Sequence, residues 1–171
     1  MEYSLEWGQT CTCSGSRFSV PQILTKYFGA VEYQESDVVQ FPSGLPAFEE
    51  ERQFLTMEPP AQAPMVFLQS MRNSSLCFLA LPILTIDPEY RLQMTPEDLH
   101  SLNLSAEHQP GIRDGILCLA LIAIAEGGFI SANLLAPIVI HAADRRGVQA
   151  IRVDSSYSHQ HPLTGKEDAC S

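Results

Sequence analysis

The sequence predicts a mainly β chain: a small antiparallel β-barrel-like domain with one or two short helices. Three observations carry this. Short runs rich in β-branched and aromatic residues start roughly 8–12 residues apart, as in sandwiches and barrels. Only one segment, at Thr95, carries a full set of helix-start signals. The 171 residues are 45% hydrophobic and 18% charged, enough apolar material for a core. That charge is below the usual ~25%, which argues against disorder. At ~150 residues per domain, the length gives one domain.

Residues 1–21 show no period over their length and are rich in small polar residues, so they read as a flexible N-terminal extension. Trp7 and Phe18 are its candidates for docking on the core. Strands are expected over 23–33 and 37–41, separated by the polar Gln34-Glu35-Ser36. Phe41-Pro42-Ser43-Gly44-Leu45-Pro46 follows as a rigid loop, because proline cannot donate to a sheet ladder. The acidic Glu49-Glu50-Glu51 then starts a short helix or a turn.

Further strands are expected at Gln53–Met57, Met65–Ser70, Leu76–Leu81 and Ile83–Ile86. The helix signals are Thr95 as N-cap, Pro96 at the first helical position, and Glu97-Asp98 complementing the dipole. Leu99 and Leu102 give it an apolar face, and it ends near Asn103. Periodicity leaves 112–125 open between a buried helix and a strand; Gly115 and Gly127-Gly128 favour a long barrel strand. Phe129–Leu135 and Pro137–Ala142 read as the next two strands, with Pro137 at a strand start. A turn at Asp144–Gly147 and a strand at Val148–Val153 complete the domain, expected to span 22–163, with a disordered polar tail over 164–171.

The chain carries 20 Asp and Glu against 10 Lys and Arg, a net charge of −10. Residues 1–110 hold 14 acidic and 5 basic side chains; residues 111–171 hold 6 and 5. Non-specific nucleic-acid binding needs cations to displace phosphate counterions, so direct binding to DNA or RNA is not expected. Nor is binding to an anionic membrane. A cationic protein partner stays open, beside the plain reading of a solubility-promoting surface.

Five cysteines, Cys11, Cys13, Cys77, Cys118 and Cys170, form no C-x-x-C pair. Cys77 and Cys118 lie in apolar runs and read as small buried hydrophobes; no disulfide framework is implied. A secretory leader pattern is missing, and the longest apolar run, Gly115 to Ala125, is too short to span a bilayer. A cytoplasmic protein is expected.

Enzyme signatures are missing: no phosphate loop, nucleophile elbow or H-E-x-x-H. His159 and His161 put two imidazoles on one side of a strand, and two ligands do not make a zinc site. No metal or cofactor is expected. Asp87-Pro88-Glu89 reads as a capped turn rather than an acid–base pair, and Arg145-Arg146 as a turn charge pair rather than an anion site. What stands out is the stiff loop in which Phe41, Leu45 and Phe48, exposed-looking apolar residues, surround Pro42, Gly44 and Pro46. Stiffness lowers the ordering cost of docking, and apolar residues beside acid suit an interface. Alternatively Phe41 and Phe48 pin the loop to the core.

Four segments, in this order, resemble the FliW family of bacterial flagellar assembly factors. They are Thr25–Gly29; Val39–Glu49, similar to the family's F-x-x-G-L-P-G-F-E signature; Phe67-Leu68-Gln69-Ser70; and Ser131–Ile140, with Arg145, Gly147, Gln149 and Tyr157, His161–Leu163 following. The likeness covers about residues 23 to 163. Ala47 stands where the family usually has glycine, so this loop is not expected to use positive φ there. Ser131 replaces a usual threonine.

The resemblance implies a barrel-like domain without catalytic activity and with two protein partners. One is flagellin, through its helical terminal region. The other is CsrA, a basic RNA-binding regulator that represses flagellin translation and that the family sequesters. Partner contacts are expected at Phe41, Pro42, Gly44, Leu45, Phe48, Glu49, Glu50, Glu51, Asn133 and Pro137; Asn133 reads equally as a turn cap. A flagellin-only adaptor is the alternative, and a small barrel enzyme using flavin or metal a further one.

Overall fold

The computed structural model describes residues 20–152 and 157–163. Its elements are β1 (Gln22–Thr25), β2 (Gly29–Glu32), β3 (Val38–Gln40), β4 (Gln53–Met57), β5 (Val66–Ser70), β6 (Cys77–Pro82), α1 (Ile83–Ile86), α2 (Pro96–Ser101), β7 (Ile116–Ile124), β8 (Ile130–His141), β9 (Arg146–Gln149) and β10 (His161–Pro162). Strands β3 to β8 pair antiparallel in chain order. β9 then pairs antiparallel with β8 and, at Gln40–Arg146, parallel with β3, closing a seven-stranded barrel. Strand β10 adds to the free half of β8. The predicted fold class is therefore the observed one.

Strand β7 shows why hydrophobic periodicity could not decide 112–125. Its odd-numbered residues Leu117, Leu119 and Leu121 pack with Val39, Phe41, Phe54 and Leu68 in one cluster, which fills the barrel. Its even-numbered residues Ile116, Cys118, Ala120 and Ile122 pack with Ile83, Leu99 and Leu102 in a second. Alternating side chains point to opposite faces of a strand, and here both faces are covered. A strand apolar on both sides reads as a continuous apolar run.

Helix α2 forms as its signals predict. The Thr95 hydroxyl accepts from Asp98 N (3.1 Å), and the Asp98 carboxylate reaches back to Thr95 N (3.4 Å). This reciprocal cap satisfies two donors that the first turn leaves open.

Four elements differ from expectation. Residues 23–33 fold as a hairpin: Thr25 Oγ1 accepts from Phe28 N and donates to Gly29 O, and Gly29 takes φ +69°. Side-chain turn chemistry at Thr25 thus breaks what looked like one strand. Ile83–Ile86 is a single helical turn, not a strand. Pro82 opens it, and it lowers Ile83 into the outer cluster, so packing overrides β-branched propensity. The two strands expected at 129–142 are one, and Pro137 lies inside it. The β7–β8 register slips between Leu121–Asn133 and Leu119–Ile138, and Pro137 sits in that irregularity, where its missing N–H is no loss. The last barrel strand begins at Arg146 rather than Val148, because Gln40 N bonds Arg145 O (2.8 Å) and fixes the closure there.

Cys118 is buried as expected, whereas Cys77 is half-buried. The expectations for residues 1–19 and 164–171, with Cys11, Cys13 and Cys170, lie outside the described residues. Among the described residues no helix is long and apolar enough to cross a membrane.

Candidate functional site

The loop from Phe41 to Glu51 leaves β3 and returns to β4. Its first residue anchors it. Phe41 N bonds Arg52 O (2.8 Å), and its ring lies edge-on to Phe54 at 5.3 Å inside the barrel. The ring rests against Gly147: a Cβ there would come within 2.5 Å of it. Gly147 is a residue whose role sequence reasoning missed, since it declared itself only as part of a turn.

Gly44 N bonds Phe41 O (2.9 Å), closing a turn over Pro42 and Ser43. Gly44 itself has φ +70°, and a Cβ there would meet the Glu49 backbone at 2.6 Å. Both facts require glycine. Next, Phe48 N bonds Leu45 O (2.7 Å) around Pro46-Ala47, with φ +69° at Ala47. Proline second and positive φ third is the type II pattern. The expectation that alanine keeps this site out of positive φ is therefore wrong. The turn is set by Pro46, by the Leu45–Phe48 bridge and by Glu49 Oε1, which accepts from Ala47 N (3.1 Å).

Of the three apolar residues expected at the surface, Phe41 and Leu45 are fully buried and pin the loop to the core. Only Phe48 is exposed, at 37%, and its ring sits edge-on over Phe78 at 5.2 Å. The acidic triplet also divides. Glu49 folds back on its own turn. Glu50 is exposed and faces Arg72 at 3.5 Å. Glu51 accepts from Ser70 Oγ (2.5 Å), and that hydroxyl in turn accepts from Arg72 N and Asn73 N. Glu51 is thus tied into the β5–β6 turn. Beside the loop, a shallow depression carries Glu50 together with Arg52 and Arg72, so the local field is mixed.

The motif at Phe67–Ser70 serves the same turn. Buried Gln69 donates through Nε2 to the Asn73 and Leu76 carbonyls, each at 3.0 Å. Phe67 stacks edge-on with Phe28 at 4.9 Å, holding the β1–β2 hairpin to the barrel.

Asn133 and Pro137 belong to a different station, the irregularity in β8. Asn133 Oδ1 accepts from Ala136 N (2.9 Å), which is the turn-cap role. Gln149 Nε2 donates to Ala136 O, and Ala150 N to Pro137 O. The structure thus gathers Phe41–Glu51 into one rigid loop and sets Asn133–Pro137 apart from it.

The remaining chemistry is structural. Glu89 N bonds Asp87 Oδ1 (3.0 Å), the capped turn expected there, and Tyr157 donates to Asp87 Oδ2. Arg145 reaches Thr56, and Arg146 reaches the Ser101 carbonyl. Burial pushes the Cys118 thiol up to about 12, with Arg152 pulling weakly the other way, and pushes Cys77 up to about 11. Neither is an activated nucleophile. Among the described residues, no three His, Cys, Asp or Glu side chains come together as a metal site.

Comparison with known proteins places this geometry. Residues 22–163 match the family model described as FliW protein. A flagellar assembly factor FliW of Syntrophomonas wolfei is 31% identical over 143 residues, covering 83% of this chain and 88% of that one. Its counterpart in Geobacillus kaustophilus is 34% identical over 142 residues, covering 83% and 94%. A crystal structure of the flagellar assembly factor FliW superposes with TM-score 0.73 at 30% identity, covering 86% of this chain and 99% of that one.

Proposed function

The chain belongs to the FliW family of flagellar assembly factors, and on that footing we propose that it binds flagellin and a CsrA-type translational regulator in the cytoplasm. Members of the family are assembly factors, not enzymes. The working unit in this reading is residues 22–163, flanked by extensions over 1–21 and 164–171. Binding the regulator relieves its repression of flagellin translation; bound flagellin withdraws this protein from that task.

One observation supports the reading most. A loop tied down at Phe41, Gly44, Leu45 and Glu51 presents Phe48 and two exposed acids, Glu49 and Glu50. A pre-ordered apolar residue beside carboxylates suits docking to a basic protein surface. Phe41, Gly44, Leu45 and Glu51 contribute by shaping the loop, and Asn133 and Pro137 by shaping β8.

Pull-downs with separate flagellin and regulator baits test it, and capture by both is expected. Charge reversal at Glu49 and Glu50 should slow association with the regulator and flatten its salt dependence. Unchanged kinetics would reduce these acids to a solvated face. Capture by flagellin alone would favour the single-partner adaptor. The pairing of Glu50 with Arg72 and of Glu51 with Ser70 lends that second reading some weight, since both interactions draw acid out of the cluster.

A further inference from the structure

On the side of the barrel carrying α1, a furrow of about 420 Å³ runs between Pro82–Thr85 and the loop 112–117. It adjoins a second hollow of about 370 Å³ and shares Leu84, Ile112 and Arg113 with it. The floor is apolar: Pro82, Leu84, Ile112 and Leu117. The rim carries Arg91 and Arg113, both exposed. Neither guanidinium has a hydrogen bond or ion pair among the described residues. In a chain of net charge −10, an apolar furrow edged by two unpartnered arginines is an exception to the surrounding field.

Arg113 also holds an unusual backbone, φ +87°, with its N–H bonded to Ile116 O at 3.2 Å. A long side chain in that region costs of order 1–3 kcal/mol, where glycine would sit without strain. The fold keeps arginine at the furrow's mouth regardless.

The chain itself contains a segment of matching chemistry. Glu2-Tyr3-Ser4-Leu5-Glu6-Trp7 alternates acidic or polar residues with large apolar ones. In an extended conformation Tyr3, Leu5 and Trp7 share one side, and Glu2 and Glu6 the other. The segment lies outside the 22–163 family match, so the shared fold does not account for it. It is also within reach. Thirteen residues separate Trp7 from Val20 and span up to ~45 Å extended. A domain of this size has a radius of gyration of ~14 Å and a width of about 40 Å.

We infer that residues 2–7 cover this furrow, with Tyr3, Leu5 and Trp7 on the apolar floor and Glu2 and Glu6 against Arg91 and Arg113. The covered surface is then one that an outside partner reaches only by displacing the segment. This goes beyond the flagellar reading and does not depend on it.

Trp7 is the chain's sole tryptophan, so its fluorescence reports the segment without ambiguity. In the full-length protein, its emission should lie to the blue of the urea-unfolded chain, with severalfold weaker acrylamide quenching. Arg91→Glu with Arg113→Glu should return quenching towards the unfolded value. So should Glu2→Arg with Glu6→Arg, which leaves the barrel untouched. Combining all four changes should restore protection, since the charges again oppose. A Trp7 quenched as freely in the native protein as in urea would overturn the inference. So would protection that either pair of reversals leaves intact, or that the fourfold swap fails to restore.

Discussion

Replacing Ala47 by glycine should make the protein more stable, against the usual direction of such a change. Ala47 sits at φ +69° in the Pro46-Ala47 turn, is exposed, and gives its N–H to Glu49. An L-residue in the left-handed region costs roughly 1–2 kcal/mol through the crowding of its Cβ. Glycine removes that cost but adds about 0.4–1 kcal/mol of unfolded-chain entropy. No packing is lost with an exposed methyl, so the net gain is about 0.5–1 kcal/mol. That corresponds to a rise in Tm of roughly 1–4 °C for a domain of this size. Urea unfolding measures it, with an unchanged m-value as the sign that only the folded state has moved. Ala30, exposed on β2 and outside the left-handed region, is the control: Ala30→Gly should cost about 0.5–1 kcal/mol. If Ala47→Gly destabilised by as much as Ala30→Gly, the turn would not carry the strain argued here.

Three further outcomes follow from the same geometry. Gly44→Ala should destabilise by about 2 kcal/mol or more, from the left-handed cost and the 2.6 Å approach to Glu49, read by denaturant midpoint. Phe41→Ala, emptying a fully buried ring site, should cost roughly 3–5 kcal/mol, and calorimetry should show a correspondingly lower Tm. Alkaline pH should weaken the fold. Burial holds the Cys118 thiol and Tyr90 neutral up to about 12, against 9.0 and 10.0 for the free groups. The unfolded chain therefore binds fewer protons above pH 9, and stability falls as pH rises through that window. Urea midpoints between pH 8 and pH 11 check the sign, and Cys118→Ala should flatten the slope.

The strands that sequence reading placed best, Gln53–Met57 and Val66–Ser70, have simple punctuation: polar or proline breaks at each end. Helix α2 was legible because its cap is a local device written in four adjacent residues. The hairpin at 23–33 was not, because its turn rests on one threonine hydroxyl rather than on glycine-proline chemistry. Helix α1 and the single long β8 depend on what they pack against, which no window of sequence contains. At the candidate site, the rigidity of the loop was readable from Pro42, Gly44 and Pro46. The direction of its side chains was not. Phe41 points inward because Gly147, more than a hundred residues away, leaves room for its ring. Glu51 turns to Ser70 for an equally distant reason in the fold.

The single parallel contact at Gln40–Arg146 has a consequence for the protein's birth. Every other neighbouring pair in the ring joins strands adjacent in the chain, so a growing polypeptide can zip them as they leave the ribosome. The outer rim of β3 waits for β9. At about 5–20 residues per second, the hundred or so residues between them take on the order of 5–20 s to synthesise. For that interval β3 presents an unsatisfied backbone edge, a template for pairing with another chain. Translation speed between these two strands, as much as the finished barrel's stability, then governs how much of the product escapes aggregation.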